Sequence, residues 1–285
     1  MNNKNSVLKL MILQILLVGS FIPLSKYVYN KGIDPLNFTY QFMIVASLVI
    51  IIYTSIKDRR LFIIKGSHLL YLLIIAIIGG GFAHAFLATG LKLSSAINCT
   101  FIMQISVFFI PVLSYFILKE HLKPFKIFMI VFLLIGVYMV TTGGDLIIPE
   151  SGDFLIIGSS LSFSIGIVLS KIALKEIPVI TFALYRSILG SLSIFIFLLI
   201  SGMVNLNISW EWVIIAGMLG SISILTMSKV LESSSASYLS MMSMSIPVVT
   251  AIIAHTFLDE KMTILQIVGG VIVVLSGIFV HRSNV

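Results

Sequence analysis

Residues 91–120, LKLSSAINCTFIMQISVFFIPVLSYFILKE, return as residues 231–260, LESSSASYLSMMSMSIPVVTAIIAHTFLDE. The shift from Leu91 to Leu231 is 140 residues, and no gap is needed. It lays Ser94, Ser95 and Ala96 on Ser234, Ser235 and Ala236, and Leu118 and Glu120 on Leu258 and Glu260. Pro111 interrupts the apolar run of the first copy and Pro247 that of the second. The pattern continues to Val140 and Val280, with Gly136 and Gly277 near the ends. Each copy reads as small polar residues, a long apolar helix, a short charged turn and a second long apolar helix. A repeat of this length outranks any local motif as a guide to architecture.

The chain has 285 residues, 59% hydrophobic and 10% charged, with mean hydropathy +1.14. A soluble domain has no use for so much apolar surface. About 20 apolar residues cross a bilayer core as a helix. Ten runs of that order lie at 7–28, 36–56, 69–90, 96–118, 125–142, 154–171, 179–201, 212–231, 236–258 and 264–280. The fold class expected is therefore all-α, with ten transmembrane helices. The first run is too long for a signal peptide, lacks a small-x-small cleavage site and is followed by more spans. The net charge of +7 does not indicate nucleic acid, because the charges sit between apolar runs and form no stripe. The single cysteine, Cys99, lies inside an apolar run and has no intrachain partner.

Lysine and arginine set the orientation. With the N-terminus in the cytoplasm, Lys4, Lys9, Lys57, Arg59, Arg60, Lys65, Lys119, Lys123, Lys126, Lys171, Lys175, Lys229 and Arg282 fall inside. Only Lys26, Lys31, Lys92 and Lys261 fall outside, and Arg186 lies within a span. This bias predicts a multi-pass protein of the cytoplasmic membrane with both termini cytoplasmic. The longest connection carries the turn signals Thr141-Thr142-Gly143-Gly144 and Pro149-Glu150-Ser151-Gly152. It divides the chain into a first repeat, 1–145, and a second, 146–285. Five spans is an odd number, so the second repeat enters the membrane from the opposite side. The first spans agree, since Leu24-Ser25-Lys26 ends span one and Leu169-Ser170-Lys171 ends span six. Inverted repeats of this kind place substrate near the midplane, between the halves.

These residues resemble the drug/metabolite transporter superfamily, specifically its ten-helix EamA-type members, over nearly the whole chain. Gly19-Ser20-Phe21 with Lys26 is similar to the family's glycine-to-lysine signature. The two Ser-Ser-Ala triplets resemble its small-residue entry to the fourth helix of each half, and Pro247 with Glu260 its proline-to-glutamate pattern. Gly269 and Gly277 resemble its last-helix glycines. The chain departs from the pattern at Val18, where tryptophan is usual. It departs again after Pro35, where Gln41 and Phe42 occupy the region of an arginine; the second half has Arg186 after Pro178. Pro111 lies four residues closer to its glutamate than Pro247 does, so the kink of span four is expected one turn later. The resemblance implies a cavity lined by spans one, three, four, six, eight and nine.

Several residue groups are candidates for the chemistry. Pro23, Pro111 and Pro247 each remove a helical hydrogen bond, freeing the carbonyls of Gly19, Val107 and Ser243 for either a kink or a ligand. Gly158, Ser162, Gly166 and Ser170 line one face of span six, which suits close packing or a cavity wall. Gly79-Gly80-Gly81 in span three, and Gly220 at the matching place in span eight, mark a bend or a close approach. The candidate substrate-binding residues are Gln14, Ser20, His84, Asn98, Thr100, Gln104, Arg186, Tyr238 and Ser243. Intramembrane ionisable groups are rare and often functional. Arg186 either turns inward or snorkels to headgroups, and His84 is either a proton carrier or a hydrogen-bonded core residue. Glu120 and Glu260 read as solvated helix ends that set register.

No catalytic residue, metal site or cofactor is expected. There is no Walker loop to power a pump and no nucleophile–base pair or carboxylate pair at depth. The function expected is secondary transport, by an exporter or permease, of small metabolites such as amino acids through alternating access. The alternatives are an intramembrane enzyme acting on lipid, a multidrug efflux carrier, and a receptor or scaffold without transport. The partners expected are a small-molecule substrate and the lipid bilayer, with room for a coupling proton and a homodimer. All eleven acidic residues are assigned to span ends or connections, which favours a neutral or zwitterionic substrate over a lipophilic cation.

Overall fold

The fold follows from a computed structural model. It describes residues 2–94, 96–121, 124–146, 148, 150–205, 209–257 and 262–283. Within these, the side chains of residues 2–4, 22, 26, 30, 88, 91, 92, 96–98, 100, 126, 254, 257 and 283 lie outside the description. The described residues form helices and connections, without strands. Single helices make seven of the ten spans: α1 (Asn2–Asn30), α2 (Pro35–Lys57), α7 (Pro124–Thr142), α8 (Asp153–Ala173), α9 (Val179–Ile200), α10 (Trp210–Ser233) and, as span ten, α13 (Ile264–Ser283). Span three joins α3 (Gly66–Ala76) to α4 (Ala83–Lys92) through a π-helical turn, Ile77–Phe82. Span four is α5 (Ala96–Met103) and α6 (Ser106–Leu118); span nine is α11 (Ala236–Ser243) and α12 (Ile246–Phe257). Nine of these stretches are long and apolar enough to cross a membrane, and Ile127–Thr142 in span five is a shorter tenth. An even number of spans puts both termini on one face, here the terminal face; the other is the distal face.

Polar side chains inside the spans are satisfied locally. Ser47, Thr54, Ser164 and Ser170 each donate to the carbonyl four residues earlier, at 2.6–2.8 Å. Asp34 caps α2 by accepting from the backbone of Leu36 and Asn37, both at 3.1 Å, and Pro35 takes the first helical position, where its missing N–H is harmless.

Glycines decide which helices touch. A β-carbon on Gly166 would lie 2.6 Å from the Cα of Gly79, so spans six and three cross with their backbones in contact. Gly80 approaches Gly190 of span seven less closely: a β-carbon on Gly80 would lie 3.5 Å from the Gly190 Cα. The glycine triplet thus serves both readings, since the π-helical turn coincides with the crossing. Gly220 differs, because α10 runs through it unbroken. The close approach in span eight belongs to Gly217, which meets Val45. Spans five and ten cross where Gly136 and Gly269 each approach the other's carbonyl oxygen.

Two tyrosines show the inverted symmetry. Tyr40 of span two donates to the Asn205 carbonyl at 3.0 Å on the distal face. Tyr185 of span seven donates to the Phe62 carbonyl at 2.8 Å on the terminal face. Each bond ties one half to a loop of the other. The next residue is Gln41 in one copy and Arg186 in the other.

The breaks in spans four and nine fall at equivalent places, Gln104–Ile105 and Met244–Ser245. Tight turns bridge both, with Gln104 N bonding Phe101 O and Met244 N bonding Met241 O. This corrects the expectation that the break in span four comes a turn later. Pro247 lies in the first turn of α12, where proline is tolerated, and Pro111 lies inside α6. The repeated backbone sets the break, and the two prolines sit at different distances beyond it.

Gly166→Leu is expected to destabilise the protein by about 1–3 kcal/mol, the range for overpacking. Gly66→Ala, where nothing lies within 4 Å of the added carbon, should leave melting unchanged. Thermal unfolding of the two variants in detergent checks the contrast.

Candidate functional site

The polar residues that meet inside the bundle come from spans one, three, seven and eight. Gln14 of α1 is buried and accepts from Thr226 Oγ1 of α10 at 2.6 Å, while its Nε2 donates to Ser223 Oγ at 3.0 Å. Met227, beside Thr226, lies against Arg186 of α9: the guanidinium Nη1 is 3.9 Å from its sulfur. On the other side the Arg186 guanidinium stands 6.0 Å from the Phe182 ring centroid, at the outer limit of a cation–π contact. Arg186 is half-buried, its guanidinium lying between Met227 of span eight and the Phe182 ring one turn earlier in its own helix. Among the described residues no carboxylate pairs with it.

His84 of α4 is likewise half-buried, and near enough to Arg186 to feel its charge. Its Nδ1 is 2.7 Å from the Gly80 carbonyl. A carbonyl only accepts, so Nδ1 carries the proton and Nε2 is the acceptor of the neutral ring. Both arms of the site start from the glycine crossing: His84 is one turn beyond Gly80, and Arg186 one turn before Gly190. Contact between Gly80 and Gly190 therefore draws the His84 ring and the Arg186 side chain toward one level.

Other expected residues lie elsewhere. Gln104 sits at the break in span four, and the Met103 carbonyl there accepts from Ser160 of span six at 3.3 Å. Ser20 donates to the Leu16 carbonyl and Ser243 to the Leu239 carbonyl, so both hydroxyls are bonded within their own helices. Tyr238 is buried against span ten, its hydroxyl 2.9 Å from His281 Nδ1. Asn98 and Thr100 lie in α5, but their side chains fall outside the described residues. The carbonyl freed by Pro23 already has a partner, because Gly19 O accepts from Thr250 Oγ1 of span nine at 3.2 Å. That bond clamps span one to span nine, whose Val249 packs on Gly19.

Sequence reasoning missed Ser223 and Thr226, the partners of Gln14. Their signal was faint: two hydroxyls three apart in an otherwise apolar span. An open groove of ≈ 360 Å³ lies apart from this site. It runs between spans five, nine and ten, is almost wholly apolar, and its one amide, Gln266, donates to the Val140 carbonyl.

Ten apolar spans in two inverted halves, with polar side chains converging where the halves meet, define a multi-pass membrane carrier fold. The sequence pattern described as the EamA-like transporter family matches residues 5–142 and again residues 150–282. The chain belongs to that family. It is 25% identical to an uncharacterized transporter of Archaeoglobus fulgidus over 100% of this chain and 99% of that one. It is 24% identical to the uncharacterized transporter YoaV of Bacillus subtilis over 95% and 94%. A third similar protein, an uncharacterized transporter of Methanothermobacter thermautotrophicus, is 27% identical over 78% of this chain and 66% of its own length. A solved crystal structure superimposes with a TM-score of 0.82, covering 99% of both chains at 17% identity, which shows the shared fold.

A buried cation without a counter-ion destabilises a bundle. Arg186→Met, which keeps the stem and removes the charge, is expected to melt at or above the temperature of the parent. A fall of several degrees would instead assign Arg186 to structural packing.

Proposed function

We propose that this protein is a secondary transporter of zwitterionic amino acids or similar small carboxylate-bearing metabolites. The observation that carries the reading is Arg186, a half-buried cation with no acidic partner among the described residues. A site with spare positive charge suits a substrate carboxylate, and guanidinium–carboxylate pairing supplies two parallel hydrogen bonds. The substrate ammonium is left to neutral acceptors, hydroxyls and the acceptor nitrogen of His84. A lipophilic cation is disfavoured because Arg186 would repel it, which argues against multidrug efflux. Enzymatic action on lipid is disfavoured because the His84 ring is held by a backbone carbonyl and, among the described residues, no nucleophile is hydrogen-bonded to it.

Transport runs by alternating access across the cytoplasmic membrane, with the terminal face cytoplasmic and the chain divided near residue 145. The lysine and arginine bias supports this orientation. Where a proton is coupled, His84 is the carrier this reading names, because imidazole is the side chain suited to exchanging a proton. Nothing in this reading requires a second copy of the chain.

Two experiments test it. In a Cys99→Ser background, an impermeant thiol reagent applied to intact cells should label a cysteine at Ser151 and spare one at Asn3; the reverse would invert the orientation. In proteoliposomes, radiolabelled amino acids should be taken up and a quaternary-ammonium dye excluded. An amino acid present at about 100 times its Kd stabilises the folded protein by about 2.7 kcal/mol. That stabilisation should survive partly in Arg186→Lys and vanish in Arg186→Met. Dye transport that persists in Arg186→Met would overturn the substrate class.

A further inference from the structure

Glu120 does not behave as a solvated helix end. Lys119, the one non-glycine residue with positive φ among those described (φ 58), ends α6 in the left-handed conformation. A lysine gains nothing from that conformation itself. It turns the next residue back across the bundle. Glu120 Oε1 then accepts from Ala236 N at 3.2 Å, and Oε2 from Ser237 Oγ at 2.9 Å and Ser237 N at 3.4 Å. A carboxylate of the first half thus sits on the N-terminus of α11 in the second half, where the helix dipole favours negative charge. Beside it, Lys171 Nζ donates to the carbonyls of Leu231 at 2.7 Å and Glu232 at 3.1 Å, at the end of α10. Lys171 lies within electrostatic reach of Glu120.

This cluster lies where the inverted symmetry is broken. On the terminal face α6 and α11, the half-helices of spans four and nine, pack against each other. Their distal counterparts α5 and α12 make no comparable contact among the described residues. Both spans have a helix break near their middle, so each half-helix has a hinge. Beneath the cluster, Ser114 is wholly buried and its hydroxyl has no partner among the described residues. At the level of sequence the repeat supplies a second set, Glu260 for Glu120 and Lys26 for Lys171; those side chains lie outside the described residues.

We infer that Glu120 on the N-terminus of α11, with Lys171 on the end of α10, forms a releasable latch that closes the carrier toward the terminal face. The inference rests on alternating access but not on the identity of the substrate. Releasing the carboxylate frees α6 and α11 to part about their breaks and exposes Ser114 to water.

The test needs no substrate. Ser114→Cys in a Cys99→Ser background, reconstituted in lipid nanodiscs, is labelled with a water-soluble maleimide and the rate is measured. The parent should label slowly. Glu120→Ala should raise the rate about tenfold, the effect of losing charge-assisted hydrogen bonds, and Lys171→Met should raise it as well. Glu120→Gln, which keeps one acceptor, should fall between. Lys119→Gly, which keeps the carboxylate and removes the backbone strain, should label as slowly as the parent. Unchanged labelling in Glu120→Ala and Lys171→Met samples that remain monodisperse and melt cooperatively would overturn the latch. So would failure of both Glu120 variants to fold, which would make the contact a permanent clasp. Loss of amino-acid transport with normal labelling kinetics would count against the substrate reading alone.

Discussion

Within a bilayer no water completes an unpaired peptide group, so each backbone N–H and C=O must find a partner in the protein. Every span here is helical for that reason, and each departure from regular helix is answered nearby. The π-helical turn of span three stays hydrogen-bonded. The breaks in spans four and nine are bridged by tight turns. The Met103 carbonyl at one break takes a bond from Ser160, and the Gly19 carbonyl freed by Pro23 takes one from Thr250. In each of those two cases the partner comes from the other half of the molecule. Satisfying the backbone and joining the halves are thus one task.

Glycine then sets how closely the joined helices lie. Lipid supplies little hydrophobic drive for helix association, so packing area and small residues take over. The Gly79–Gly166 crossing and the Gly80–Gly190 approach bring spans three, six and seven together at one level. His84 and Arg186 stand one turn from those contacts. The position of the polar site is therefore a consequence of where backbones touch. The loop bonds of Tyr40 and Tyr185 fix the second helix of each half to the opposite half. Spans four and nine are left as the broken, hinged elements.

The symmetry of the sequence and the asymmetry of the structure belong together. Two equivalent halves permit two equivalent closures, one toward each face. A single conformation can display only one of them, and among the described residues it is on the face that holds the termini that the half-helices of spans four and nine pack together. Glu120 and Lys171 each meet a helix end of matching polarity.

The sequence by itself determined the ten apolar spans, their division into repeats and the opposite insertion of the halves. Those features rest on period, length and self-similarity, which are properties of the chain read in one dimension. The family was legible too, from Gly19, the Ser-Ser-Ala triplets and Glu260. Much of the site was not. The sequence left Arg186 open between snorkelling to headgroups and turning inward, because seven residues into a helix both are within reach; only the structure lays its guanidinium against Met227 of span eight. Gln14 was visible as a polar residue in an apolar run, but its partners Ser223 and Thr226 lie over 200 positions away and were invisible. Tyr238 looked like a lining residue until His281 appeared beside it. Glu120 read as a solvated end because a linear chain does not show which helix N-terminus will lie opposite a turn. Only the tertiary structure decides such pairings, because they depend on how two helices are brought side by side and not on anything either helix encodes alone.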